Sequence, residues 1–410
     1  MRQDWDNVTL GEAVTLQRGF DLSHDEFDGG RFPVVSSGGI IGHHSVAMAH
    51  GPGVVIGRTG TLDSVFYLTS DYWPHNTTLW VKDFHGNVPR FIYYFLRGLS
   101  LAYMNVGSAN PTLNRNHLHE LTVRLPRVPY QRAIARVLGS LDDKIELNRR
   151  MNQTLEDICR ALFKFWFVDF GPVRAKQEGR WKKGESLPGM PADMWDLWPS
   201  EFEESEIGEI PTGWQILQAS EVVEVSGGST PSTSEAAYWK EGTHAWATPK
   251  DLAPLRTPVL LRTERKITEA GLSTISSGLL PTGTVLLSSR APIGYLAISE
   301  IPVAVNQGFI AIQCNKGVSS QYMLRWAESN LEEIKSVANG TTFLEVNKQN
   351  FRLLPILVPD KAILGVFDAF ASRLYRTEVN NERECGTLSS LRDALLPKLL
   401  SGEIRVKADE

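Results

Sequence analysis

The sequence has few of the features that are typical of secreted or membrane proteins. Its 410 residues include only three cysteines, Cys159, Cys314 and Cys385, which are far apart and odd in number. This pattern argues against a disulfide scaffold or a cysteine zinc site and suits a reducing compartment. No apolar run is long enough to span a membrane, and no basic-then-apolar leader opens the chain. We therefore expect a cytoplasmic protein that does not contact membranes.

Motifs of the common nucleic-acid enzymes are missing or incomplete. Asn110-Pro111-Thr112-Leu113 lacks the second proline and the aromatic residue with which an adenine methyltransferase holds the exocyclic amine. No Gly-Lys dipeptide occurs, so a phosphate-binding loop of the usual type is absent. The sole Pro-Asp, Pro359-Asp360, is not followed by the Asp/Glu-x-Lys of a metal nuclease, and no histidine pair has zincin spacing. The sequence thus predicts neither a catalytic site nor a metal site.

The sequence also has fewer positively charged than negatively charged residues. The chain has 42 Lys and Arg against 47 Asp and Glu, which gives a net charge of −5. Residues 1–125 hold 9 basic against 11 acidic residues, and residues 206–358 hold 12 against 14. Nucleic-acid binders are usually basic. Binding to nucleic acid would therefore depend on locally placed cations, backbone amides and helix N-termini.

The chain does contain an internal repeat. A shift of 233 residues superimposes the second half on the first, and nearer the N-terminus the shift changes slightly, so that residues 57–60 match 289–292, with Arg58 and Arg290 in related places. Two matches could be coincidence, but this many at one shift indicate a duplication, although two unrelated domains that share a coiled coil are the alternative. The matched pairs are Gly107 with Gly340, Asn114 with Asn347, Pro126 with Pro359, Leu141 with Leu374, Asn148 with Asn381, Leu155 with Leu388, Ala161 with Ala394, and Leu162 with Leu395.

Each repeat consists of a globular section followed by a long helix. Short strand-like runs set off by Gly and Pro predict α/β globular sections, and the connector between the repeats has no sustained period. The dense aromatic run from Phe163 to Phe170 either caps the fold or forms a docking patch, and we favour the former. The predicted parts are a first domain at 1–128, a helix at 129–170, a connector at 171–205, a second domain at 206–358, a helix at 359–400 and a tail at 401–410.

Both long helices have heptad periodicity over four heptads, which predicts a coiled-coil seam. Asn148 and Asn381 are the midpoints of the two a-position series. In an antiparallel pair related by a pseudo-twofold axis the midpoints meet, so we expect Asn148 and Asn381 to lie close together as a buried polar pair that fixes the register; exposure of both on an imperfect seam is the alternative. The expected a and d positions are Ile134, Leu141, Asn148, Leu155 and Leu162 with Val137, Lys144, Met151, Ile158 and Phe165, and Phe367, Leu374, Asn381, Leu388 and Leu395 with Phe370, Thr377, Glu384, Leu391 and Lys398.

These features together resemble the specificity subunit of bacterial type I restriction–modification systems. The residues that carry the resemblance are Leu391-Arg-Asp-Ala-Leu395-Leu-Pro397 through Ile404 at the end of the second helix, Ile210-Pro-Thr-Gly-Trp214 and Gly228-Ser-Thr-Pro231 at the start of the second domain, and Val54-Val-Ile-Gly-Arg58-Thr-Gly60 and Trp73-Pro-His-Asn76 in the first.

The resemblance implies an α+β fold in which two pseudo-twofold-related α/β target-recognition domains are joined by two long helices that form an intramolecular antiparallel coiled coil. It implies that each domain reads one half of a bipartite site on double-stranded DNA. The helices would dock type I methyltransferase subunits, expected to be two, and a restriction/translocase subunit. The chain itself would hold no cofactor, whereas S-adenosylmethionine, ATP and Mg would act in partner subunits that methylate adenine and cleave DNA.

Candidate DNA contacts are polar side chains in Gly-rich loops. Arginine, asparagine and glutamine are preferred among them, because arginine reads guanine and Asn or Gln reads adenine. Each could instead be a structural ion pair or a phosphate contact. Asn114 and Asn347, which the repeat matches, are more typical of turns or helix caps. The candidates are Arg18, Ser37, His43, His44, Arg58, Thr59, Asn110, Thr112 and Arg115 in the first domain, and Thr230, Ser232, Thr248, Lys250, Arg290, Asn306, Gln307, Thr341, Thr342 and Lys348 in the second.

Two other functions remain open at this point. A coiled-coil adaptor with two binding modules for a partner other than DNA would fit the acidic balance. A self-contained enzyme is disfavoured by the missing motifs. Because the two domains differ in the residues that would read bases, we expect an asymmetric target.

Overall fold

The computed structural model describes residues 5–105, 111–340 and 344–408. Contacts within the chain divide it into two compact units. The first unit contains Met1–Glu146 and Cys385–Glu410, and the second contains Leu147–Glu384. Both boundaries fall inside the long helices, so each long helix contributes to both units.

The described part of the first repeat is built from short strands and three short helices, followed by the long helix α4. A four-stranded sheet has the order β2-β8-β5-β6, a three-stranded sheet has the order β4-β3-β7, and β1 pairs with β9. The elements are β1 (Trp5–Thr9), α1 (Leu10–Ala13), β2 (Thr15–Arg18), β3 (Phe32–Ser36), β4 (Gly39–His44), β5 (Gly53–Gly57), β6 (Val65–Leu68), β7 (Trp73–Pro74), β8 (Thr78–Asp83), α2 (Pro89–Gly98), α3 (Arg115–His119), β9 (Thr122–Pro126) and α4 (Val128–Phe163).

The second repeat follows the same plan. Strand β12 (Gln215–Gln218) pairs with β21 (Pro355–Val358), as β1 pairs with β9. Each repeat has one three-stranded sheet with a single parallel pair, β3 with β7 in the first and β14 (His244–Ala247) with β19 (Val303–Val305) in the second. The elements from the connector onward are α5 (Gly171–Gln177), β10 (Phe202–Ser205), β11 (Gly208–Pro211), β12 (Gln215–Gln218), α6 (Ala219–Val222), β13 (Glu224–Ser226), β14 (His244–Ala247), α7 (Pro249–Leu252), β15 (Val259–Leu260), β16 (Arg265–Ile267), α8 (Glu269–Leu272), β17 (Val285–Ser288), β18 (Leu296–Ser299), β19 (Val303–Val305), β20 (Phe309–Gln313), α9 (Ser320–Ser329), α10 (Leu331–Ser336), α11 (Lys348–Arg352), β21 (Pro355–Val358) and α12 (Lys361–Leu400).

The hydrophobic core of the first unit includes the end of the chain. Leu396 and Leu399 of α12 are buried in the same cluster as Phe91 of α2 and Leu138 of α4. The α2 helix presents its apolar residues on one face, which is the pattern that buries a helix against a core. The first globular section therefore depends on residues more than 250 positions away in sequence.

The connector between the repeats is folded into the second unit. Trp181, Met190 and Trp198 are buried there against the aromatic run that ends the first long helix. Within that run Trp166 and Phe167 lie in the core, in edge contacts with each other and, for Trp166, with Trp198. This confirms that the aromatic run mainly completes the fold.

The two long helices lie side by side and run antiparallel. In the first unit Arg392 donates a hydrogen bond to Asp142 over 2.6 Å, and the Cys385 thiol lies 3.7 Å from the carbonyl oxygen of Ile145. Residue numbers therefore rise along α4 as they fall along α12, which confirms the expected antiparallel pairing. In the described part of the chain, neither these helices nor any other combines the length and apolar character of a membrane-spanning segment.

The seam of this pair uses other heptad positions than expected. Residues at the a positions are buried or partly buried, but the expected d positions include Val137, Met151, Ile158, Phe370 and Leu391, each at least 37% exposed. The d assignment was wrong because each helix also packs against globular parts of its unit, which turns the buried face away from the d positions. The e positions are buried in their place: Leu138, Ile145, Asn152 and Cys159 on α4, and Ala371, Glu378 and Cys385 on α12.

The two midpoint asparagines are both buried, as expected, but each bonds to a residue other than its expected partner. Asn148 donates a hydrogen bond to Glu384 over 2.7 Å, and Asn381 donates to Asn152 over 2.7 Å. Each partner lies three or four residues from the expected one, about one helical turn. The shift follows from the seam, because Asn152 occupies an e position.

A buried polar layer adjoins these asparagines and joins three helices. Arg325 of α9 makes two hydrogen bonds, of 2.6 and 2.8 Å, to the carboxylate of Glu156 on α4. Burial alone would raise the pKa of Glu156, but Arg325 outweighs it and the pKa is lowered. On α12, burial and then the charge of Glu156 raise the pKa of Glu378 to about 9. Glu378 is therefore protonated at neutral pH and can share its proton with Glu156.

Candidate nucleic-acid interface

In the first unit, three chain segments meet just beyond the end of β5. The amides of Arg58 and Thr59 both donate to the carbonyl of Thr77, over 2.9 and 3.1 Å, and the amide of Leu113 donates to the carbonyl of Arg58 over 2.8 Å. Thr59 also pairs with Thr112 in an isolated bridge. Backbone bonds thus hold these loops rigidly, and their side chains project from a fixed frame.

Side-chain contacts connect further candidates to this place. Thr77 accepts a hydrogen bond from the amide of Ser37 over 3.2 Å, and the Arg58 guanidinium donates to the carbonyl of Asn76 over 3.3 Å. Asn76 in turn donates to Asp21, which forms a 2.8 Å ion pair with Arg18. The Asn76 bond lowers the pKa of Asp21, so this carboxylate stays charged. The structure therefore brings together Arg18, Ser37, Arg58, Thr59 and Thr112.

The remaining candidates of the first domain lie elsewhere or have other roles. His43 is exposed on β4, whereas His44 is largely buried, accepts a bond from the amide of Val46 and packs 4.9 Å from the Trp73 ring. Arg115 is exposed at the first residue of α3. Asn110 lies outside the described residues.

The second unit has a comparable meeting of loops beyond β17. The amide of Ser289 donates to the carbonyl of Gly308 over 2.9 Å, and the amide of Val346 donates to the carbonyl of Ser289 over 3.0 Å. Next to it, the Thr230 hydroxyl donates to the Gln307 side chain over 2.7 Å. The strand ends again place a cluster of polar loop residues on a hydrogen-bonded frame.

Some candidates of this unit are occupied by structural contacts. Arg290 forms a 3.3 Å ion pair with Glu345. Thr248 is the N-cap of α7, where its amide and hydroxyl both donate to Asp251. Asn306 uses its side chain to accept the amide of Gly308. These three side chains are therefore less available to DNA than their residue types predict.

The other candidates of this unit are more open. Lys250 and Lys348 are exposed at the starts of α7 and α11, and Lys348 lies against Gly227 of the 227–234 loop. The Ser232 hydroxyl is 2.8 Å from that of Ser234 in the same loop. Thr341 and Thr342 lie outside the described residues.

The hydrogen bonds also correct the alignment of the two repeats. Gly57 donates to the carbonyl of Ser64, as Ser288 donates to that of Tyr295. Arg58 therefore corresponds to Ser289, and Arg290 corresponds to Thr59, so the two arginines are displaced by one residue. The sequence missed this because its shift is not constant near the N-terminus.

Asn114 and Asn347 confirm the expectation that they cap helices. The Asn114 side chain accepts the amide of Asn116 at the start of α3, and the Asn347 side chain accepts that of Asn350 at the start of α11. Cap residues of this type satisfy amides that the first helical turn leaves unpaired.

One basic residue of the second interface was not among the candidates. The guanidinium of Arg265, at the start of β16, lies 3.5 Å from the ring centre of Trp239. A lone arginine at the start of a short strand gives no sequence signal, because a stack between distant residues is visible only in three dimensions. Within the described ranges, no group of His, Cys, Asp and Glu has an arrangement that could hold a metal ion.

Comparison with known protein families identifies the family to which this chain belongs. The family model for the type I restriction modification DNA specificity domain matches residues 2–157 and again residues 211–382. The two matches cover most of the chain, and the protein belongs to this family of type I restriction–modification specificity subunits.

Individual relatives of the chain are also specificity subunits. Over 336 residues the chain is 28% identical to the type I restriction enzyme HindI specificity subunit of Haemophilus influenzae, an alignment that covers 72% of this chain and 71% of that protein. It is 42% identical over 164 residues to the MjaIX specificity subunit of Methanocaldococcus jannaschii, which covers 40% of this chain but only 38% of that relative.

A solved structure shares the fold. The crystal structure of the type I restriction-modification system S subunit from M. genitalium superimposes with a TM-score of 0.59 over 97% of this chain and 96% of that one, at 14% sequence identity. At this identity the likeness concerns the fold, which agrees with the expected α+β class.

Proposed function

We propose that this chain is the sequence-reading subunit of a type I restriction–modification complex and that each globular section reads one half of a bipartite site on double-stranded DNA. The observation that carries the proposal is the repeated loop frame: the bonds from Arg58 to Thr77 and from Leu113 to Arg58 have counterparts at Ser289 and Val346. One frame used twice is suited to presenting two sets of side chains to two similar surfaces.

The side chains on that frame differ between the repeats, and this supports an asymmetric target. Arg58 and Thr59 of the first repeat correspond to Ser289 and Arg290 of the second. Since the type of side chain decides which base edge is read, equal frames with unequal side chains favour two different half-sites.

Charge pairing supports weak DNA binding by the isolated chain. Both globular sections have more acidic than basic residues, and Arg18 and Arg290 are already paired with Asp21 and Glu345. Phosphate contacts supply most of the affinity in such complexes. We therefore expect partner subunits to provide many of the contacts to the DNA phosphates. A gel shift in which the lone chain bound its site tightly and specifically would contradict this.

The exposed d positions support docking of methyltransferase subunits on the long helices. In the second unit, Ile158 and Phe370 line an apolar groove of about 720 Å³ together with Met190 and Pro191 of the connector. Both side chains are about 40% or more exposed, although heptad apolar residues normally face a partner helix. An apolar helix of a methyltransferase subunit would complete this packing.

Docking can be tested with charged substitutions in the groove. Co-purification of the methyltransferase subunit with the I158E/F370E variant should fall strongly, because two carboxylates would be buried without partners. T154E, an exposed position on the same helix, is the matched control. Retention of the methyltransferase by the groove variant, with an unchanged circular dichroism spectrum, would refute this docking site.

We further propose that the chemistry takes place in the partners. S-adenosylmethionine would be held by two methyltransferase subunits that modify adenine, and ATP and Mg by a restriction/translocase subunit. The incomplete Asn110-Pro111-Thr112-Leu113 motif supports this division of labour.

The central experiment is co-expression of this chain with the methyltransferase subunit encoded beside it, followed by methylome sequencing. We expect one bipartite, asymmetric motif with methylated adenine in each half. A palindromic motif would contradict the asymmetry, and the absence of any new methylated motif, with an assembled complex, would contradict the function itself.

A further inference from the structure

Arg265 of the second unit has an unusual surrounding. It is exposed at the start of β16, an edge strand that pairs only with β14 in its sheet. Its guanidinium carbon lies 3.5 Å from the ring centre of Trp239 and 5.3 Å from that of Trp246. The two rings meet edge to face at 5.0 Å, so they form a corner into which the guanidinium fits.

Among the residues that the structure describes, no carboxylate or carbonyl accepts a hydrogen bond from the guanidinium group of Arg265. Three of the four candidate arginines are occupied, since Arg18 is paired with Asp21, Arg58 with the Asn76 carbonyl and Arg290 with Glu345. The guanidinium of Arg265 is thus positioned by the tryptophan rings, and its N–H groups remain available to a ligand.

The same two tryptophans hold the candidate loop 227–234. The Trp239 indole donates to the carbonyl of Ser232 over 2.9 Å, and the Trp246 indole donates to that of Ser229 over 3.2 Å. Thr230, between these points, is bonded to Gln307. Arg265 therefore belongs to the same cluster as the predicted readers Thr230, Ser232 and Gln307.

We propose that Arg265 is a specificity-determining residue that reads a guanine in the half-site of the second domain through two hydrogen bonds to its major-groove edge. The inference rests on the proposed function and names one base reader within it. Trp239 acts as a positioning residue, because its ring fixes the plane of the guanidinium.

The stack distinguishes base reading from phosphate binding. A phosphate accepts a cation from many directions, and a flexible lysine suffices. A guanine edge demands a planar pair of donors in one orientation, which arginine alone provides. A guanidinium held 3.5 Å from the ring centre of a half-buried indole has few orientations left to lose, so binding costs little further entropy. This arrangement is suited to the base edge.

The test compares methylomes of complexes assembled with full-length variants. R265Q and R265K should relax one G·C position of one half-site, with discrimination at that position falling roughly 5- to 150-fold, while all other specified positions stay unchanged. R265K is included because it keeps the charge but lacks the planar fork. R262Q is the matched control, since Arg262 is an exposed arginine three residues earlier that, in the described part of the chain, does not stack on either tryptophan.

Trp239 provides an independent variant. W239L removes the aromatic face and should relax the same G·C position, whereas W239F keeps a ring and should leave the motif largely intact. Relaxation at the same position by W239L and by R265Q supports reading by a stacked guanidinium.

The outcomes separate this inference from the proposed function. If the wild-type complex gives a bipartite motif but R265Q keeps that motif and only lowers methylation evenly, Arg265 binds phosphate and the inference is wrong. A weaker salt dependence of binding without a change of motif leads to the same conclusion. If the wild-type complex gives no motif at all, the proposed function fails first.

Discussion

The protonated Glu378 in the core of the second unit leads to a sharp prediction about stability and pH. This carboxyl is almost fully buried and lies beside the charged pair of Glu156 and Arg325. Its pKa is raised to about 9 from an ordinary 4.5, first by burial and then by the charge of Glu156. The folded state therefore binds this proton more tightly than the unfolded state does.

The magnitude follows from linkage. Stability from Glu378 is fully present below pH 4.5 and is lost as the pH rises through about 9. At pH 7 the unfolded state has already released the proton while the folded state retains it. The resulting loss is about 3 kcal/mol at ~1.4 kcal/mol for each pH unit above 4.5. Glutamine has no proton to release, so E378Q should remove this loss and keep a donor for Glu156.

Urea unfolding followed by tryptophan fluorescence is the appropriate assay, because eight of the 11 tryptophans lie in the second unit. Near pH 4.5 wild type and E378Q should be equally stable, and at pH 7 the variant should be more stable by up to about 3 kcal/mol. E333Q, at an exposed glutamate on α10, is the control and should change neither value. Equal pH slopes for wild type and E378Q would refute the argument that Glu378 is protonated in the fold.

Other contacts predict smaller, separate effects. N381L should destabilise the second unit by about 1–3 kcal/mol in urea unfolding, because the buried side-chain oxygen of Asn152 loses its hydrogen-bond donor. L399A should cost about 2–5 kcal/mol and unfold the first unit first in hydrogen exchange, since Leu399 belongs to that core. Y94F, which loses the 2.6 Å bond to Asp142, should lower the thermal midpoint by a few degrees, corresponding to about 1 kcal/mol.

Much of the fold could be predicted from the sequence because the sequence contains two copies of the same arrangement. The matched pairs Asn114 with Asn347 and Asn148 with Asn381 set the repeat, and the heptads set the two long helices. The d positions failed because a heptad pattern reports that a residue is apolar and periodic, but not what it packs against. Met151 and Ile158 have the pattern of a seam and lie at the surface instead.

The candidate interface was less predictable. Residue type selected Arg290 and Thr248, which the fold uses for an ion pair and a helix cap. It passed over Arg265, whose surrounding depends on Trp239 and Trp246. Loop side chains acquire their partners from distant segments, and a single sequence does not contain that information. The loops that carry the candidates do meet at the strand ends, whereas contact of these residues with DNA stays a prediction.

The repeats have diverged in the contacts that hold each globular section to its helices as well as in the loops. In the first unit Arg97 of α2 pairs with Asp393 of α12 over 3.2 Å. The repeat shift of 233 takes Asp393 to Arg160 of α4, and the shift of 231 that matches the starts of α2 and α9 takes Arg97 to Glu328. Glu328 and Arg160 pair over 3.1 Å in the second unit. The contact is kept and its charges are reversed. Such half-exposed pairs add little stability, but like charges at the same place would repel. Placed at the position of the second section, Arg97 would face Arg160. The reversal therefore favours each section on its own pair of helical positions.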